Sequence, residues 1–177
     1  MRKIRNADLG RKTSEEFQQA AKRKVVLVLD NIRSLNNIGA VFRSADAFLC
    51  ERICLCGITA TPPHREIHKT ALGAEDTVKW QHYAETTTAI LELQHSGYRV
   101  IAIEQVDGCI PLDQLTLSAD EKTAYVFGHE IDGVREDVLA LLQEAVEIPQ
   151  FGTKHSINIS VCAGIVLWDH FLKTNTR

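Results

Sequence analysis

Apolar residues along the chain fall into two patterns that alternate with each other. VVLVLD (25–30) is an unbroken apolar run, which predicts a strand buried on both faces. In NNIGAVFRSADAF (36–48) the residues Ile38, Val41, Phe42, Ala45 and Phe48, with Leu49 after them, recur at three- and four-residue steps, which predicts a helix from about Asn37. RICLCGI (52–58) is a second strand, and TATPPH a loop closed by Pro62 and Pro63. REIHKTALGA reads as a short helix ending near Gly73, and TVKWQHY (77–83) as a strand. Thr86 to Ser96 is amphipathic with Ile90, Leu91 and Leu93 on its inner side, and Gly97 stops it. YRVIAIE (98–104), AYVFG (124–128) and AVEIP (145–149) are further strands. Helices are expected from about Val134 to Leu142 and from near Asn158 to Leu172. Strands alternating with helices predict an α/β fold with a mostly parallel sheet and helices on both faces. Ligands then bind beyond the carboxyl ends of the strands, which points to DNIRSLNN, EQVDG, GHEIDG and PQFGTKHSIN.

Composition narrows the function classes. With 177 residues, 45% of them hydrophobic and 24% charged, the chain fits one soluble globular domain with a real core. The first residues lack the apolar segment of a secretory signal, and no apolar run reaches 18 residues, so a soluble, cytoplasmic protein is expected. The five cysteines contain no CxxC pair and read as free thiols in a reducing compartment. Charge is unevenly spread. Residues 1–24 hold eight Lys/Arg against three acids, whereas the rest of the chain holds 12 bases against 20 acids. The reading is therefore a basic N-terminal arm (1–24) on an acidic domain (25–177), able to steer a polyanion to one edge or simply to stay solvated.

Three stretches carry candidate chemistry. In GHEIDGVRED a strand runs into Gly128, Glu130 and Gly133 before a helix, either as a tight turn with Glu130 capping backbone N–H groups or as a close backbone approach to a ligand. No GxGxxG and no GxxxxGK[ST] occurs, which removes the NAD and ATP fingerprints. In IPQFGTKHSINISVCAGIVLW, Ser156 or Asn158 can cap the helix, yet two such residues with Ser160 beyond exceed what one helix end requires. The helix itself is apolar all round, with Val161, Gly164, Ile165, Trp168 and Phe171 on one face, so it belongs in a core or a subunit interface. HREIH (64–68) spaces two histidines as zinc proteases do, but Glu66 is out of place and no third ligand follows, so no metal is expected. Arg43 is the misfit of the 36–48 helix, and Asp46 at i+3 offers it an ordinary surface pair.

Taken in order, DNIRSLNNIGAVFRSADAF, YVFGHEIDGV and IPQFGTKHSINISVCAG resemble the three motifs of the SpoU (TrmH-type) branch of the SPOUT RNA methyltransferases, over about residues 24–172. The matching positions are Asn37, Gly39 and Arg43; Gly128, Glu130 and Gly133; and Pro149, Gly152, Ser156, Asn158, Ser160 and Ala163. The resemblance implies an S-adenosylmethionine-dependent enzyme that methylates a ribose 2′-hydroxyl in tRNA or rRNA. It further implies a C-terminal deep trefoil knot that binds the cofactor, and a homodimer. Arg43 would be the catalytic arginine, with Asn37 and Glu130 shaping its surroundings and Ser156 and Asn158 orienting substrate and cofactor. Backbone around Ile103, Gly128, Ile148, Gln150 and Ile157 would hold S-adenosylmethionine. Other classes remain open: a non-catalytic RNA-binding homologue, and a small-molecule methyltransferase that would leave the basic arm idle.

Overall fold

The computed structural model describes residues 1–5 and 8–175; Asn6 and Ala7 of the arm, and Thr176 and Arg177, lie outside the described residues. Seven strands form one sheet: β1 (Arg23–Asp30), β2 (Cys50–Cys56), β3 (Trp80–Tyr83), β4 (Arg99–Ile103), β5 (Ile110–Pro111), β6 (Thr123–Phe127) and β7 (Ala145–Glu147). Their spatial order is β3-β2-β1-β6-β4-β7-β5, and every pairing is parallel. Two late strands are inserted between strands laid earlier, β6 between β1 and β4, and β7 between β4 and β5.

The unbroken apolar run of β1 is explained by cover on both faces. Val25, Leu27 and Leu29 enter the larger core, under the helices α2 (Leu35–Ala47) and α7 (Ile159–Thr174). Val26 and Val28 enter a second core with Ile90 and Leu93 of α5 (Thr86–His95). Before β1, the short α1 (Ser14–Gln19) starts at a Thr13–Glu16 capping box, and its Phe17 is buried in the larger core.

Several expected elements shift for identifiable reasons. Helix α2 begins at Leu35, because Ser34 caps it by accepting from the Asn37 N–H; Asn37 lies inside the first turn. Leu72 adopts a left-handed conformation that ends α3 (Arg65–Ala71), and a separate turn, α4 (Ala74–Thr77), delays β3 to Trp80. On α5, Ile90 and Leu93 are buried but Leu91 faces solvent, a correction to the inner face expected of all three. The helix expected over 134–142 is a single turn, α6 (Glu136–Leu139). Its continuation tightens into i→i+3 bonds at Leu141 and Leu142, because the chain must enter β7 at Ala145. The two residues of β5 had no apolar pattern to announce them. All five cysteines are free, and burial raises the Cys54 thiol to about 11.

His170 of α7 is buried against Tyr125, with 2.9 Å between the hydroxyl and Nδ1. Burial, aided by Arg23, lowers its pKa to about 4. A folded-state value below the unfolded one of about 6.5 means that this contribution to stability is complete above pH 6.5 and lost as pH falls toward 4, by up to about 3 kcal/mol. Chemical denaturation across that window is expected to show a flatter pH slope for His170→Gln than for the parent.

Candidate active site

The loops after β4, β6 and β7 converge at the carboxyl edge of the sheet around a cavity of about 520 Å³. Its apolar walls come from Ile103, Val146, Ile148, Ile157 and Ile159, with Gly128 and Gln150 beside them. The five positions expected to hold the cofactor, Ile103, Gly128, Ile148, Gln150 and Ile157, therefore all line one space. Among the described residues, no lysine or arginine lines it; the charged residues present are Glu104, Glu130, Asp132 and Glu147.

The turn after β6 explains its glycines. His129 and Gly133 exchange both backbone hydrogen bonds at 2.9 Å, which closes a narrow loop with Glu130 at its tip. A Cβ on Gly128 would lie 2.1 Å from the Gly133 carbonyl carbon and from the Val134 nitrogen, so only glycine allows this closure. Gly133 itself has φ +70°, where L side chains are strained.

Glu130 does not cap its own turn, as the simplest reading of GHEIDG suggests. Its carboxylate crosses to the start of α2 and accepts from the N–H groups of Arg33 (3.0 Å) and Ser34 (2.9 Å) and from the Asn37 side-chain amide (3.1 Å). Partial burial alone would raise its pKa, but these donors hold the carboxyl below the usual carboxylate range. Asn37 in turn accepts at 3.1 Å from the Asn158 amide. Asn158 is the residue that caps α7, taking the Ser160 N–H at 2.9 Å and the Ser160 hydroxyl at 2.7 Å. One chain of hydrogen bonds thus joins the three candidate stretches, and two of its members, Glu130 and Asn158, stand on the cavity rim together with exposed Ser156.

Arg43 is not brought to this cavity within one chain. It lies exposed on the far part of α2 and lines a separate concavity of about 570 Å³ with Arg11, Lys12 and Phe17 of the arm. The ordinary pair with Asp46 is absent among the described residues, since Asp46 accepts instead from the Thr77 hydroxyl at 3.0 Å. Sequence reasoning marked the EQVDG segment but gave no role to Glu104, whose carboxylate lies on the cavity wall and accepts from the Gln105 and Val134 N–H groups. The two histidines of HREIH have structural partners: His64 caps α3, and His68 bonds Glu75 at 2.5 Å. Among the described residues no group of three or more His, Cys, Asp or Glu is placed to hold a metal ion, and no helix is long and apolar enough to cross a membrane.

Comparison with known proteins adds an independent line. The model of the SpoU rRNA Methylase family matches residues 24–168. The 23S rRNA (guanosine-2′-O-)-methyltransferase RlmB of Nitrosomonas europaea is 32% identical over 86% of this chain and 58% of its own length. The tRNA (guanosine(18)-2′-O)-methyltransferase of Thermus thermophilus is 26% identical over 90% of this chain and 80% of its own. The crystal structure of an AdoMet-bound rRNA methyltransferase from Sinorhizobium meliloti superposes with a TM-score of 0.79 at 21% identity, covering 90% of this chain and 61% of that one. The chain spans less than three fifths of the length of the RlmB relatives it matches.

Proposed function

The chain belongs to the SpoU rRNA Methylase family, and from that premise we propose that it transfers the methyl group of S-adenosylmethionine to a ribose 2′-hydroxyl of tRNA or rRNA. The observation that carries the reading is the Glu130–Asn37–Asn158 chain of hydrogen bonds, which links residues of all three family motifs, two of them on one cavity rim. The cavity suits this donor. It has the volume of a small-molecule site, apolar walls for an adenosyl group and carboxylates for a cation, while a nucleotide phosphate would meet no lysine or arginine among the described lining residues. When bound, the donor supplies an electrophilic methyl group on a sulfonium.

The protein's own groups supply the rest. Backbone at Ile103, Gly128, Ile148, Gln150 and Ile157 holds the donor, and Ser156 and Asn158 orient it against the ribose. Glu130 keeps Asn37 and the start of α2 in place. Arg43 is assigned to the alkoxide that develops on the 2′-oxygen and to the neighbouring phosphate, because a guanidinium can clamp both without giving up its proton. A two-fold homodimer through α2 and α7 would bring a second chain's Arg43 toward the cavity. Support comes from the outer face of α7, where Val161 (49%), Trp168 (52%) and Leu172 (57%) are exposed in the single chain beside Phe151 (98%). Sedimentation is expected to give a dimer at micromolar concentration, and Trp168→Glu a monomer.

The same reading includes a C-terminal trefoil knot, which the insertion of β6 and β7 between earlier strands favours, and the cytoplasm as the compartment, which five free thiols favour. The arm is assigned to RNA. Arg23 and Lys24 are tied to the body by Asn175 and Asp120, and Lys22 bonds the Phe17 carbonyl within the arm; Arg11 and Lys12, which share a concavity with Arg43, are assigned as contacts with phosphates. Truncating residues 1–12 is expected to weaken RNA binding and flatten its salt dependence, because fewer counterions are released; an unchanged slope would take the arm off the RNA. The function itself is tested by titrating the chain with S-adenosylmethionine and following labelled methyl into total RNA. A non-catalytic RNA-binding homologue would bind RNA and leave it unlabelled.

A further inference from the structure

Glu104 directly follows β4, and its backbone N–H is held by the Val146 carbonyl at 3.1 Å, so the sheet fixes where its side chain starts. The carboxylate lies on the cavity wall and accepts from two backbone donors, Gln105 at 2.9 Å and Val134 at 2.9 Å. Val134 is the residue at which the Glu130-bearing turn ends. The fit there is close: a Cβ on Gly133 would fall 2.3 Å from Glu104 Oε2, so a glycine is what lets the carboxylate reach the turn. The next N–H, that of Arg135, goes to Asp30, which is wholly buried and does not line the cavity. Asp30 anchors the turn from within the core. Glu104 anchors it from the cavity.

This arrangement gives Glu104 leverage on the catalytic rim. The turn is closed on itself by the paired His129–Gly133 bonds, which couple its Glu130-bearing loop to its base. Its tip holds the two N–H groups of Arg33 and Ser34 and the Asn37 amide through one carboxylate. Release of the Val134 N–H would let the base swing away from β4 and loosen Glu130 from α2. It would also leave the buried Val134 N–H without its partner.

We propose that Glu104 is a positioning residue for methyl transfer, holding the Gly133–Val134 base of the turn so that Glu130 keeps its grip on Asn37 and the start of α2. The inference rests on the methyltransferase reading above and adds to it a residue outside the three family motifs. Glutamine cannot replace it fully, since a carboxamide facing two N–H donors can accept through its oxygen but must turn its own N–H groups toward the other.

The test is a double-mutant cycle on the full chain. Glu104→Ala is expected to lower the methyl-transfer rate at saturating donor and RNA at least tenfold while S-adenosylmethionine affinity, by calorimetry, changes less than threefold. In a Glu130→Ala background the same substitution should lower the rate less than twofold, because the contact it protects is already gone. Glu104→Gln should fall between, and amide exchange in 129–134 should accelerate at least tenfold in both Glu104 variants while β1 and β6 stay protected. Equal rate losses in the two backgrounds would overturn the proposal, as would a loss confined to donor affinity or unchanged exchange in the turn. If Glu104→Ala does not fold, Glu104→Gln decides on the same readouts. A parent protein that transfers no methyl to any RNA would count against the methyltransferase reading instead, and the exchange measurement would still judge the Glu104 contact.

Discussion

Gly128→Ala is expected to weaken S-adenosylmethionine binding at least thirtyfold while the chain stays folded. The added methyl would sit 2.1 Å from the Gly133 carbonyl carbon and the Val134 nitrogen. Both are backbone atoms, so no side-chain rotation relieves the clash and the turn must open. That costs on the order of 1–3 kcal/mol in a packed site, and here the opening also moves a cavity wall. The core strands have little reason to respond, because Gly128 lies beyond the last residue of β6. Gly152→Ala is the matched control. Its added methyl would meet nothing within 4 Å, and its φ lies outside the left-handed range, so donor affinity should change less than threefold. Calorimetry on the two variants, with circular dichroism for the fold, reads the difference. Equal affinities would mean that the turn after β6 is not part of the donor site.

Arg43→Ala is expected to lower the methyl-transfer rate a hundredfold or more, about 3 kcal/mol of barrier, with donor affinity nearly unchanged. The split follows from geometry, because Arg43 does not line the donor cavity and faces the arm instead. Stability should change by less than about 1 kcal/mol, as for an exposed side chain without an ion pair among the described residues. Arg43→Lys should recover only part of the rate, since an ammonium cannot make the planar two-point contact with a phosphate. If Arg43 acts across a dimer, mixing inactive Arg43→Ala with inactive Asn158→Ala should restore some activity, because a mixed dimer keeps one complete site.

The fold class was legible because β1 carries an apolar residue at every position from Val25 to Leu29, a pattern that only a strand covered on both faces needs. The five positions that the family resemblance assigned to the cofactor line one cavity, although they come from separate parts of the chain. What escaped the sequence was mostly long-range partnership. Glu130 looks like a local cap in GHEIDG, yet its partners stand more than ninety residues away, and no spacing rule encodes that distance. Asn37 looks like a helix entrance, but Ser34 performs that capping and frees Asn37 to connect Glu130 with Asn158. Glu104 was marked only by its place in EQVDG beyond a strand, and its partner belongs to a turn formed thirty residues later. Leu91 was misplaced because an apolar residue beside Ile90 on a helix points about 100° away from it, which on a ten-residue surface helix is toward solvent. The separation of Arg43 from the other site residues could not be read from motif order, which says nothing about which chain supplies each group.

Methylation of a ribose oxygen by S-adenosylmethionine is read most directly from the chemical position of the transferred methyl. RNA labelled by the purified full chain is digested to nucleosides, and the products are resolved by mass spectrometry. Label is expected in a 2′-O-methylated nucleoside, with the mass increment on the ribose fragment, and is expected to be lost in Arg43→Ala protein that still binds the donor. Label on a base, or transfer by Arg43→Ala at close to the parent rate, would contradict it.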